Sequence, residues 1–255
     1  MDTALVLARK VVAAYREAGD LAFGYGQGSV IAGFAPDGAL DLSLVWDRAE
    51  PPATEDRPVQ DLHDGSGGVS VRFFQRDRFW VHGRQVHVLH RTRSEFDGWL
   101  DTVGEGHGWE IVTTPTPLYA VAGFAYGALL DDVDGSGGAA RERVAAFPQA
   151  LRERSRSGLA EELASYDRDL VEAARQGDGW LFHEHLGVVH RHAMVAWFAA
   201  HGRFCPYPKW LRRWVARFGL DPGIAALERG LWAPPVSLQR RRELFRQMAD
   251  RILAL

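Results

Sequence analysis

Leu40-Asp41-Leu42-Ser43-Leu44-Val45-Trp46-Asp47 is the stretch from which the fold of this chain can be read. Its leucines and its tryptophan hold the even positions, while Asp41, Ser43 and Asp47 hold odd ones, with Val45 the exception. Successive side chains of a strand point to opposite faces, so this period of two predicts a strand with one buried face. Asp41 and Ser43 share the other face. Just upstream, Gly24-Tyr25-Gly26-Gln27-Gly28-Ser29 is glycine-rich and reads as a turn. Before it, residues 4–18 place Leu5, Ala8, Val12 and Tyr15 at helical spacing, with Gly19 positioned to end the helix.

Downstream, residues 49–68 are rich in Pro, Asp and Gly and read as a loop ending in Asp64-Gly65-Ser66-Gly67-Gly68. Val69–Phe74, Arg78–Val81 and Gln85–His90 are strand-like, and His82-Gly83 joins the last two as a hairpin. Ser94 is a candidate cap for a helix to about Val103. Two prolines in Thr113–Pro117 mark a boundary. Helices are expected beyond it, over about 118–130, 140–154, 158–176, 179–202, 207–218, 222–230 and 238–254, with Ser157 and Ser237 as caps. A second Asp-Gly-Ser-Gly-Gly, at 134–138, reads like the first as a flexible loop.

The 255 residues carry 30 basic and 33 acidic side chains, a formal charge of −3. That balance leaves no cationic excess for a nucleic-acid backbone or an anionic membrane. One cysteine, Cys205, excludes an intramolecular disulfide and a multi-cysteine zinc site. The longest apolar run, Leu118–Leu130, has 13 residues and falls short of a membrane span. Asp2 and the amphipathic pattern after it do not read as a signal peptide, so a soluble cytoplasmic protein is the expectation. Lys10 and Lys209 are the only lysines among the 30 basic residues.

Gly28-Ser29, followed twelve residues later by Asp41 on an alternating strand, resembles the nucleotidyltransferase superfamily. Its members include DNA polymerase beta and the kanamycin and lincosamide nucleotidyltransferases. Gly83-Arg84-Gln85-Val86-His87-Val88 is similar to the strand that carries the third metal-binding carboxylate in that superfamily. Phe204-Cys205-Pro206-Tyr207-Pro208-Lys209-Trp210-Leu211 is similar to a segment in the helical half of small bacterial members. The resemblance implies an α+β fold: a nucleotidyltransferase-like mixed-sheet domain over 1–114, an all-helical domain over 115–255, and a cleft between them. It also implies a Gly-Ser turn cradling nucleotide phosphates and three carboxylates holding two magnesium ions.

Carried across position by position, the first carboxylate is Asp41, the second position is Ser43 and the third is His87. Magnesium near a triphosphate wants hard anionic oxygens in near-octahedral geometry. Ser43 offers a neutral oxygen and His87 a nitrogen, which suits other metals better. Asp47 cannot substitute, because six residues of strand separate it from Asp41 by roughly 20 Å.

The expectation is therefore an enzyme of this fold repurposed for metal-independent acid–base chemistry on a small molecule, in the setting of secondary metabolism. Elimination, cyclisation, isomerisation and group transfer all fit. Asp41, His87, Glu184 and His183 are the catalytic candidates; Gly28, Ser29, Ser43 and Lys209 are the binding candidates. No cofactor is required on this reading, and the partner is a small molecule, not nucleic acid or membrane. Two alternatives stay open: transfer of AMP from ATP, with magnesium, to a hydroxyl of a small molecule such as an antibiotic, and a non-catalytic pseudoenzyme that binds a nucleotide or ligand. His183, His185, His190 and His192 lack the His-Glu-x-x-His spacing. Pairs seven residues apart on a helix are separated by about 10.5 Å of rise, so neither pair alone chelates an ion. His90, an odd number of residues from His87, faces the other side of its strand and reads as structural.

Overall fold

Alternation makes β2, Leu40–Trp46, the middle of a sheet whose strands run in the order β3-β4-β5-β2-β1-β6. The other strands are β1 (Leu21–Gln27), β3 (Val71–Phe73), β4 (Arg76–Val81), β5 (Arg84–Thr92) and β6 (Ala128–Asp132). β2 and β5 pair in parallel; every other pairing is antiparallel. The structure, a computed structural model, describes residues 3–73, 75–110 and 116–255. The boundary expected at 114/115 lies outside these residues, as does the last residue of the strand expected over Val69–Phe74.

Two compact units share the chain, one made of 1–101 with 120–146, the other of 102–119 with 147–255. The first holds the sheet with α1 (Thr3–Arg16), α2 (Gly28–Ile31), α3 (Val59–Leu62) and α6 (Ser136–Ala145). Its borders with the second unit fall inside α4 (Arg93–Gly104), inside α5 (Pro117–Tyr126) and between Ala146 and Phe147. The second holds α7 (Gln149–Gln176), α8 (Gly179–Ala200), α9 (Leu211–Phe218), α10 (Pro222–Leu231) and α11 (Leu238–Leu253). A mixed sheet followed by a helical part is an α+β architecture. Among the described residues no helix is long and apolar enough to cross a membrane.

Both faces of the sheet are covered, and this corrects the expectation of a single buried face. Leu40, Leu42, Leu44 and Trp46 form one core with Ala8, Val11, Val12 and Tyr15 of α1. On the other face Phe23 and Tyr25 meet Phe96 of α4 and Phe124 of α5, with ring centroids 5.0–6.2 Å apart. Only Asp41 in β2 escapes full burial.

Several local expectations are also corrected. Of the glycine-rich stretch, Gly24–Gln27 belongs to β1, and the turn is confined to Gly28-Ser29 at the start of α2. A Cβ on Gly24 would lie 2.6 Å from Val12, and one on Gly26 2.8 Å from Ile31, so these glycines let helices approach the strand closely. The apolar run 118–130 divides into α5 and the edge strand β6, which pairs with β1. The first Asp-Gly-Ser-Gly-Gly segment is a hydrogen-bonded turn, and the second runs into the start of α6. Asp64 accepts from the amides of Ser66 and His82, and Gly67 lies against Trp80, where no Cβ fits. Asp132 accepts from the Gly137 and Gly138 amides at 2.8 Å and so satisfies two first-turn N–H groups of α6. Ser157 caps nothing. It lies inside the 28-residue α7, where Gly158 seats the Trp109 ring. Thr92, not Ser94, caps α4 by accepting from the Glu95 amide at 3.1 Å. Ser237 does cap α11, accepting from the Arg240 amide at 3.2 Å.

Candidate functional site

Strand register assembles the site. Gln27 on β1 stands opposite Asp41 on β2, Asp41 opposite His87 on β5, and His87 opposite Arg78 on β4. Directly paired residues point to the same face, so these four side chains form one row across the sheet. The His82-Gly83 hairpin fixes the β4–β5 register. His82 has φ of 50° and Gly83 of 75°, the left-handed pair that a two-residue turn with matching twist requires.

His87 Nδ1 lies 3.0 Å from Asp41 Oδ1, with the histidine side chain 18% and the aspartate side chain 36% exposed. An ionised carboxylate only accepts, so Nδ1 carries the proton of this bond. The remaining nitrogen, Nε2, then bears the lone pair of the neutral ring. Gly28 follows Gln27 with φ of +76°, and a Cβ there would lie 2.6 Å from Asp41 Oδ2. Glycine at this position lets the carboxylate lie against the turn that opens α2, placing Gly28 beside Asp41.

A second row lies beneath, with Tyr25 opposite Ser43. Ser43 is 2% exposed; its hydroxyl accepts from Gln27 Nε2 at 3.1 Å and shares a hydrogen bond with Tyr25. Complete burial raises the Tyr25 phenol above its usual range, so it stays neutral. Gln27 Oε1 occupies the space where a Cβ of Gly123 would stand, 2.1 Å away, so a glycine on α5 makes room for it. Gln27 was not singled out from the sequence. Its signal was positional, as the polar residue ending a glycine-rich strand.

The donor set does not fit two magnesium ions. Of the three positions carried across, only Asp41 is a carboxylate, and one of its oxygens is engaged by an imidazole. Ser43 is a buried neutral hydroxyl already committed to Gln27 and Tyr25. Among the described residues no group of three or more His, Cys, Asp or Glu side chains is placed to hold a metal ion.

The other candidates lie in the second unit. His183 and Glu184 are exposed on α8, and His183 Nδ1 is 2.6 Å from the Gly179 carbonyl. Lys209 is exposed in the one-turn Pro208–Trp210 segment, its Nζ 5.9 Å from the Trp210 ring centroid. Three of the four clustered histidines instead face single acids: His185 Asp169 at 4.0 Å, His190 Glu228 at 3.9 Å and His192 Glu162 at 3.8 Å. Cys205 is buried, and burial pushes its thiol far up, away from nucleophilic use.

No known family and no curated protein matches this sequence. Among solved structures, the chain is similar to a nucleotidyltransferase-like protein from Exiguobacterium sibiricum 255-15. The TM-score is 0.49 at 11% identity, covering 98% of this chain and 74% of that one.

Proposed function

We propose that this chain is a nucleotidyltransferase-fold enzyme in which an imidazole–carboxylate pair has taken over the place of the superfamily's metal carboxylates and moves protons on a small molecule. The observation that carries this reading is the 3.0 Å contact between His87 Nδ1 and Asp41 Oδ1 at the partly open end of the sheet. A carboxylate that holds one ring nitrogen fixes the orientation and tautomer of the imidazole and aims the other nitrogen outward.

In this mechanism His87 Nε2 accepts a proton from a carbon or hydroxyl of the substrate. The released electron pair forms a new π-bond or attacks an electrophilic carbon, and the imidazolium, held by Asp41, returns the proton to the departing or rearranged group. Oriented acid–base groups of this kind contribute about 10²–10⁴ in rate. Gln27 and Ser43 brace the floor beneath the pair. Arg78, across from His87, and Gly28, beside Asp41, border the position a substrate would occupy, with Ser29 next in the chain.

The test is calorimetry with ATP, with and without magnesium. This reading expects no saturable heat in either condition. Magnesium-dependent ATP binding would overturn it and return the choice to nucleotidyl transfer or a nucleotide-binding pseudoenzyme. Once a substrate is found, His87→Ala is expected to lower turnover by 10² or more while leaving the thermal midpoint within a few degrees of wild type.

A further inference from the structure

α8, α9 and α10 present apolar side chains to one another, and they do not meet completely. Met194 and Trp197 of α8, Val215 of α9 and Leu220 just beyond it line a cavity of about 270 Å³ within the second unit. An apolar cavity of about 150 Å³ accepts benzene, so this one takes a body of about two fused rings.

Three charged side chains are among the lining residues: Arg212, Glu228 and Arg229. Glu228, 7% exposed, accepts from Arg212 Nε at 3.0 Å and Nη2 at 3.3 Å, so these two charges cancel. Arg229 is exposed and has no ion-pair partner among the described residues. An occupant therefore meets an apolar wall and one uncompensated guanidinium, whose planar fork matches a carboxylate. A second observation concerns the lining itself: Trp197, one of its residues, has a buried Nε1 that lacks a hydrogen-bond partner among the described residues. Buried polar atoms of native proteins are overwhelmingly paired, and a largely apolar pocket with a few polar groups is the usual form of a small-molecule site.

We propose that this cavity binds a small aromatic monocarboxylate, with its rings between α8, α9 and α10 and its carboxylate on Arg229. The site lies in the second unit, and the Asp41–His87 pair in the first.

The test is calorimetry on the full chain with 2-naphthoate and its neutral counterpart 2-naphthamide. Saturable one-to-one binding is expected, with naphthoate preferred by about tenfold. Arg229→Gln, a change at an exposed residue, should weaken naphthoate about tenfold and leave naphthamide unchanged. Ala225→Phe, which fills the cavity, should abolish binding of both while circular dichroism shows the fold retained; if that variant does not fold, the Arg229 arm decides alone. Lack of saturable binding in wild type, equal affinity for acid and amide, or a folded Ala225→Phe that binds like wild type would each overturn the proposal.

Discussion

β5 carries two histidines, and each meets an aspartate on a neighbouring strand, but on opposite faces of the sheet. His90 Nε2 lies 2.8 Å from Asp77 Oδ2, with both side chains fully buried. Asp77 also accepts from Tyr15 at 2.6 Å and from Arg57 at 3.1 Å, and Trp46 Nε1 donates to His90 Nδ1 at 3.2 Å. Every ring nitrogen and both carboxylate oxygens are thus engaged. At the His87–Asp41 pair one ring nitrogen is engaged and the side chains reach solvent. The same two residue types make a structural unit where all valences are satisfied and a chemical one where a lone pair remains. The hydrogen bonds also fix opposite tautomers, Nε2–H at His90 and Nδ1–H at His87.

Breaking each pair should separate the two roles. Asp77→Ala leaves the Arg57 guanidinium buried without its carboxylate, and removing one partner of a buried pair costs about 3–5 kcal/mol. Asp41→Ala removes a partly exposed partner, for which about 0–1 kcal/mol is expected. Urea denaturation measures both. Equal losses would mean that His87–Asp41 is also a structural pair.

Acid should act through the buried pair. Burial lowers the affinity of His90 for a proton, outweighing the opposing hydrogen bond and charge of Asp77. The unfolded chain, with an ordinary histidine near 6.5, therefore binds more protons than the folded one, and stability falls as pH drops below about 6.5. Asp77 adds to this at lower pH. Burial alone would raise its carboxyl, but the hydrogen bond and charge of His90, the hydrogen bond of Tyr15 and the charge of Arg57 hold it below the ordinary range. Its contribution is present above about pH 3.9 and is lost as pH falls through the folded value. His190, which burial pushes down to about 4, acts in the same direction as His90. His90→Asn should flatten, without abolishing, the slope of stability between pH 6.5 and 5; an unchanged slope would remove His90 from this account.

A backbone change tests the open pair from a different side. Gly28→Ala imposes a left-handed backbone on a residue with a Cβ and sets that carbon against Asp41 Oδ2. About 1–2 kcal/mol of stability should be lost, together with the Asp41–His87 hydrogen bond. An alanine variant with that bond intact would show that glycine is not what places the carboxylate.

The two faces also differ in how far the sequence revealed them. Period-two alternation gave β2, the His82-Gly83 signal gave the hairpin, and parity placed His87 and His90 on opposite faces. These are local signals. The Tyr15–Asp77–Arg57–His90 cluster had none, because Tyr15 and Asp77 are 62 residues apart and a single Asp in β4 resembles any polar strand position. β6 was hidden for a related reason. A continuous apolar run has no period, and what makes Ala128–Asp132 a strand is the free edge of β1. Likewise, glycines that normally signal a turn became β1 because Val12 and Ile31 need the space, and Gly158 stayed helical because Trp109 packs on it. Asp41 and His87 were legible as one site through a resemblance in spacing; Gln27 and Tyr25 emerged only when strand register placed them.

The most direct measurement is long-range ¹H–¹⁵N correlation of the imidazole side chains in the folded protein, assigned with His87→Gln and His90→Asn. At a pH where the rings are neutral, His87 should show a protonated Nδ1 and an unprotonated Nε2, reverting toward the ordinary tautomer mixture in Asp41→Asn, while His90 shows the reverse pattern. A His87 ring protonated at Nε2, or one insensitive to Asp41, would contradict the assignment of a free base at the open end of the sheet.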